Sequence, residues 1–148
     1  MKRRPALRLA LDTNVVLDLL HFGDPAVAPL RRALADGRAA CFASAETRAE
    51  LAHVLGYARF KMGDDEVRRI LDEYDALARP CEAAGGALPP LPQCRDADDQ
   101  KFLELALAAR ADLLVSKDKA LLVLAKKSAR LGFRIAAPAG AAALLECA

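Results

Sequence analysis

Short apolar runs alternate with amphipathic segments along most of the chain. Apolar runs typical of buried strands occupy residues 7–11, 40–43, 112–116 and 133–136. Apolar residues at helical spacing predict helices over residues 15–20, 25–35, 45–55, 65–78, 96–111 and 119–129. This alternation of strands and helices predicts a three-layer α/β/α sandwich around a mostly parallel central sheet.

One loop interrupts the alternation. Residues 85–95 contain two glycines and three prolines, which favour an irregular connection. The 148 residues are 54% apolar, enough for one core, and neither half is large enough to fold alone. We therefore expect a single domain over residues 1–148.

Composition excludes several classes of protein. The net charge is only +2, and five Phe, two Tyr and no Trp make a base-stacking platform unlikely. The cysteines and histidines lack zinc-ligand spacing: Cys41, Cys81, Cys94, Cys147, His21 and His53. No apolar run reaches the length of a membrane span, and the basic start is followed by charges that a signal peptide would lack. We expect a cytoplasmic protein with reduced thiols.

Acidic residues follow the predicted strands. In "LALDTNVVLDLL", Asp12 comes directly after the first strand, and Asp118 lies two residues beyond the strand at 112–116. Asp96, Asp98 and Asp99 open the helix after the loop, and Glu50 lies beside the apolar row of the helix at 45–55. Because parallel strands end at the same edge of a sheet, these carboxylates could converge. Asp18, on the helix after Asp12, is expected on the surface.

Converging carboxylates would repel one another and raise each other's pKa unless a cation lay between them. Oxygen ligands without His or Cys favour Mg²⁺ or Mn²⁺. Such sites are suited to metal-assisted cleavage of phosphodiester bonds.

Three segments taken in order resemble one family. "LALDTNVVLDLL", "SAETRAEL" and "CRDADDQKFLELALAARADLLVSKDKALL" are similar to segments of the PIN-domain ribonucleases, most closely the toxin components of toxin–antitoxin systems. The resemblance covers nearly the whole chain. It implies a PIN-like fold and a catalytic, metal-binding set of Asp12, Glu50, Asp99 and Asp118. The family's spacing alone would select Gln100 as the third ligand, whereas the apolar helix face selects Asp99, and Asp96 is the reserve.

The resemblance also implies partners. It predicts cleavage of RNA to 5′-phosphate and 3′-hydroxyl ends by a cytoplasmic toxin, often a homodimer, that a small antitoxin protein silences. Asn14 and Ser116 would support the metal ligands, and Arg48, Lys117 and Lys119 would contact the substrate. Val54, Leu55, Val67 and Leu71 could form the dimer or antitoxin surface, or belong to the core.

Three alternatives follow from the same residues. A haloacid-dehalogenase-type phosphatase needs an acid where this chain has Asn14, and a receiver domain needs an Asp after the strand at 40–43. Both are disfavoured. The remaining alternative is a non-catalytic PIN-fold module that binds RNA or protein, and Gln100 is the observation in its favour.

Overall fold

The fold is seen in a computed structural model that describes residues 6–57, 61–81 and 91–146. The strands are β1 (Leu7–Leu11), β2 (Ala39–Ala43), β3 (Ala78–Pro80), β4 (Leu113–Val115) and β5 (Arg134–Ala136). The helices are α1 (Thr13–Leu17), α2 (Ala28–Asp36), α3 (Ala45–Leu55), α4 (Asp64–Leu77), α5 (Gln100–Ala108), α6 (Lys119–Leu122), α7 (Ala125–Ala129) and α8 (Pro138–Glu146). A π-helical turn (Asp18–Phe22) extends α1, and 3₁₀ turns precede α2 (Pro25–Val27) and α5 (Ala97–Asp99).

The five strands form one sheet in the order β3-β2-β1-β4-β5, and each neighbouring pair is parallel. Side chains along a strand alternate between the two faces of the sheet. Leu9 and Leu11 accordingly pack in a core with α1 to α4 and α8, whereas Ala10 packs in a second core with α5 and α6. Helices therefore cover both faces, which confirms the predicted three-layer α/β/α sandwich.

The strand order places a crevice beside β1. The chain moves from β1 to β2 and β3 on one side, then returns to the other side for β4 and β5. At such a switch point the connections leave the two neighbouring strands in opposite directions, which opens a crevice at their carboxyl ends. Leu11 pairs with Val115, so the residues that follow β1 and β4 lie next to each other in this crevice.

Several elements differ from the prediction. Ala78 was expected to end a helix, but Ala78 to Pro80 pair with Cys41 to Ala43 as an edge strand. An edge tolerates a proline, and only the pairing distinguishes so short a segment from a helix end. The helix predicted at 119–129 is divided into α6 and α7. Helix α8 follows the last predicted strand, and the apolar pattern does not predict it.

Of the candidate partner surface in the middle segment, Leu55 belongs to the core and the other three residues stay partly exposed. Leu55 is 1% exposed, and Val54, Val67 and Leu71 are partly buried against the same cluster. Cys41 and Cys94 are buried thiols, whereas Cys147 and the loop residues 85–90 lie outside the described residues. Across the described ranges, no helix is long and apolar enough to cross a membrane.

Candidate metal centre

Asp12 lies at the floor of the crevice. It follows β1 directly and is 4% exposed. Its Oδ1 accepts a hydrogen bond from the Val15 amide at 2.9 Å, so it caps α1 as its sequence position predicts. Burial raises the pKa of Asp12, and the hydrogen bonds from Ser116 and Val15 offset part of that effect.

Ser116 connects Asp12 to Asp118. The Ser116 hydroxyl, which is fully buried, donates a hydrogen bond to Asp12 Oδ2 and accepts one from the Asp118 amide at 2.9 Å. One hydroxyl thus orients the carboxylate at the end of β1 and the turn that begins α6. The sequence placed Ser116 beside Asp118, but its bond to Asp12 depends on the pairing of β1 with β4.

Asp96, Asp99 and Asp118 come together in a group that does not include Asp12. Carboxylate oxygens of these residues, one from each, lie within 4.8 Å of one another, and we call them the three-carboxylate group. Asp96 accepts a hydrogen bond from the Asp98 amide and caps the 3₁₀ turn, and Asp118 accepts one from the Ala120 amide and caps α6. Asp99 stands at the start of α5. Helix starts therefore supply all of these carboxylates.

The electrostatics of the group favour a bound cation. Burial, together with hydrogen bonding and repulsion from Asp118, raises the pKa of Asp99 to about 8. The hydrogen bond with Asp99 and that from the Ala120 amide lower the pKa of Asp118. Asp99 Oδ2 is buried and has no hydrogen-bond donor among the described residues. A buried carboxylate oxygen without a donor is costly, and a hard cation such as Mg²⁺ or Mn²⁺ would satisfy it.

Glu50, which the resemblance names as a ligand, lies beside this group and is not one of its members. The Thr13 hydroxyl donates to its Oε2, and Lys101 Nζ lies 3.0 Å from its Oε1. The sequence analysis singled out neither Thr13 nor Lys101. A signal for Lys101 did exist, since a cation in the first turn of a helix opposes the helix dipole and so needs a partner.

Gln100 is engaged outside the three-carboxylate group. Its Oε1 accepts a hydrogen bond from the Cys94 amide at 2.8 Å, and its Nε2 donates to the Pro92 carbonyl at 3.1 Å. These bonds fasten the end of the predicted loop to α5 while Asp99 joins the carboxylates. Gln100 is therefore no longer an observation in favour of a non-catalytic module.

The other predicted residues are dispersed around the site. Asn14 is exposed, and its side chain makes no hydrogen bond to the described part of the chain. Arg48 pairs with Asp75 of α4, with its Nε 2.7 Å from Asp75 Oδ1. Lys119 is exposed at the start of α6, next to Asp118.

Lys117 is paired with Asp18. Its Nζ lies 2.6 Å from Asp18 Oδ2. The expectation that Asp18 lies on the surface is wrong, because Asp18 is 5% exposed. The π-helical turn after α1 turns Asp18 inward, and Lys117 compensates its buried charge. This ion pair joins α1 to the turn that carries Ser116 and Asp118.

Ser116→Ala is expected to destabilise the fold and weaken metal binding. The change removes the donor to Asp12 and the acceptor for the Asp118 amide, which should lower the free energy of unfolding by about 1–3 kcal/mol. Loss of orientation of the carboxylates should weaken Mn²⁺ binding by roughly 10–100-fold. Urea unfolding and calorimetric Mn²⁺ titration would measure both effects.

Ser128→Ala is the matched control. Ser128 is also fully buried, but its hydroxyl has no hydrogen-bond partner among the described residues, so its loss should be neutral or stabilising. Equal effects of the two substitutions would contradict the bridging role of Ser116.

Comparison with known proteins identifies the family of this chain and a solved structure of similar fold. The sequence model of the PIN domain family matches residues 8–120, a segment that includes all the acidic residues described above. No curated protein matches the chain. Among solved structures, the fold is similar to a chain in the crystal structure of VapBC2 from Rickettsia felis bound to a DNA fragment from their promoter. That similarity has a TM-score of 0.58 at 14% identity and covers 88% of this chain and 98% of that chain. The family match spans most of the sequence, and the chain belongs to the PIN domain family.

Proposed function

We infer that this protein is a divalent-metal-dependent endoribonuclease and the toxin of a toxin–antitoxin system. The observation that carries the inference is the three-carboxylate group at the switch point of the sheet, with a buried oxygen of Asp99 that lacks a donor. Membership of the PIN domain family and the resemblance to its toxin ribonucleases support a nuclease over other uses of such a site.

Asp96, Asp99 and Asp118 would hold Mg²⁺ or Mn²⁺, and Asp12 is linked to Asp118 through Ser116. The ion would supply Lewis acidity for attack of water on a phosphodiester bond. The chain's own contribution is to hold the carboxylates in place. Capping hydrogen bonds fix the positions of Asp12, Asp96 and Asp118, and Ser116 aligns Asp12 with Asp118. This arrangement is preorganised, so little ordering is needed when the ion binds.

The substrate and the partner are parts of the same proposal. Lys119 is exposed beside Asp118, where it can contact a phosphate of RNA. Arg48 and Asp75 border a groove of about 600 Å³ at the carboxyl ends of β2 and β3, which leads away from the carboxylates. A small antitoxin that covers this edge of the sheet would block the site. The resemblance also supports a homodimer.

The test is cleavage of RNA by the purified chain. We expect cleavage in Mn²⁺ or Mg²⁺, no cleavage in EDTA, and products with 5′-phosphate and 3′-hydroxyl ends. DNA of the same sequence is the matched control and should stay intact. Cleavage that persists in EDTA would contradict the metal-dependent reaction, and equal cleavage of DNA would contradict the choice of RNA.

A further inference from the structure

Lys101 occupies an unusual position for a cation. It is the second residue of α5 and lies two residues after Asp99. Backbone amides at the start of a helix create a positive potential, which disfavours a lysine there. The side chain is nevertheless 24% exposed, whereas Lys117, the other lysine that forms an ion pair in the described part of the chain, is 45% exposed. An interaction specific to this position must therefore hold it.

That interaction is with Glu50. Glu50 comes from α3, its side chain is 18% exposed, and Lys101 Nζ lies 3.0 Å from its Oε1. Its other oxygen, Oε2, accepts the hydroxyl of Thr13. Both oxygens thus have protein donors. Asp99, by contrast, retains a buried oxygen without one. Glu50 is therefore a carboxylate whose charge is paired, beside a group with an unsatisfied oxygen.

Among the described residues, no other carboxylate of the site forms an ion pair with a lysine or arginine. Among the described residues, Lys101 is the one lysine or arginine that forms an ion pair with any of Asp12, Glu50, Asp96, Asp99 and Asp118. A second divalent ion bound beside the three-carboxylate group would need Glu50 as a ligand. The ammonium group of Lys101 occupies that side of Glu50.

We propose that Lys101 takes the place of a second divalent cation at Glu50 and limits the site to one metal ion. The inference rests on the proposed metal-dependent function. Lys101 is a positioning residue in this arrangement, because it acts by holding Glu50. An ammonium group has three N–H donors, so two remain after the bond to Glu50. These donors are available to a phosphate oxygen of a bound nucleic acid as a point charge.

The experiment is a calorimetric titration of the full chain with Mn²⁺. Wild type is expected to bind about one ion per chain, and Lys101→Met, which is similar in length and uncharged, about two. Lys101→Arg keeps the charge and should bind one. The double variant Glu50→Gln, Lys101→Met removes both charges of the pair and should bind one ion with an affinity within about threefold of wild type, because in this arrangement Glu50 does not ligate the first ion. The melting temperature of each variant, without metal, checks that it is folded.

Lys126→Met is the matched control. Lys126 is exposed on α7 and forms no ion pair in the described part of the chain. The substitution therefore removes the same charge as Lys101→Met, but away from Glu50. It should bind one ion, as wild type does. Two ions in wild type, or one in Lys101→Met, would overturn the role of Lys101 while leaving the metal site intact. A loss of about tenfold or more in the affinity of the double variant would do the same. Wild type that binds no Mn²⁺ would overturn the proposed function, and this inference with it.

Discussion

Asp99→Asn is expected to abolish Mn²⁺ binding and to lower the rate of RNA cleavage by about a thousandfold, the scale of losing one group that stabilises developing charge. Asp99 contributes to the three-carboxylate group and holds its unsatisfied buried oxygen. An amide keeps the shape of the side chain but removes the charge and one possible ligand oxygen. The fold should remain intact, since Asp99 makes no side-chain hydrogen bond that caps α5. Calorimetry and a cleavage assay on the same samples would measure both effects.

Asp98→Asn is the matched control for this substitution. Asp98 is the preceding residue, is exposed, and does not belong to the three-carboxylate group. The same change of charge one residue earlier should leave Mn²⁺ binding within about threefold of wild type, because exposed charges are screened. If Asp99→Asn bound Mn²⁺ as tightly as Asp98→Asn does, the third ligand would have to be sought elsewhere.

Mn²⁺ affinity is expected to rise by about tenfold per pH unit below pH 8 and to level off above it. The pKa of Asp99 is raised to about 8 by burial and by Asp118, so its carboxyl is mostly protonated at neutral pH in the absence of metal. A metal ion binds the ionised form, and binding must therefore release this proton. Titration in buffers of different ionisation enthalpy would count the protons released. Affinity that stays flat from about pH 6 to 8 would contradict the raised pKa.

The raised pKa of Asp99 also predicts how the stability of the protein without metal depends on pH. An acid whose pKa is raised in the folded state contributes stability at low pH, and that contribution is lost as the pH rises through the folded pKa. In EDTA, the melting temperature of wild type should therefore fall as the pH rises from about 4 to about 8. The asparagine of Asp99→Asn cannot ionise, so the melting temperature of this variant should fall less over the same pH range. Parallel curves for the two proteins would show that Asp99 ionises as an ordinary surface acid.

The order of strands and helices could be predicted from the sequence because it depends on local periodicity. The run at residues 7–11 matches β1, and the helix at 45–55 matches α3. The acids at strand ends could be found for the same reason, since a polar residue directly after an apolar run marks where a strand leaves the core. Asp12 and Asp118 were identified in this way, and both lie in the crevice between β1 and β4.

Elements without a periodic pattern could not be predicted. Strand β3 is three residues long and is defined by its pairing with β2, and α8 is rich in alanine, which packs on either side of a helix. The spacing of the family favoured Gln100 as the third ligand, whereas the apolar helix face selected Asp99. The structure adds why Gln100 lies apart: the loop backbone at Pro92 and Cys94 engages its side chain, while Asp99 joins the three-carboxylate group.

The sequence by itself determined the fold class, the acidic residues at the ends of strands and the membership of a family. Only the tertiary structure decided which side chains pair. Ser116 reaches Asp12 across 104 residues of sequence, and Lys101 reaches Glu50 across 51. Asp18 is buried because Lys117 lies against it. Each of these contacts depends on sheet register and helix orientation, and a shift of one residue in the pairing of a strand would turn its side chains to the opposite face of the sheet.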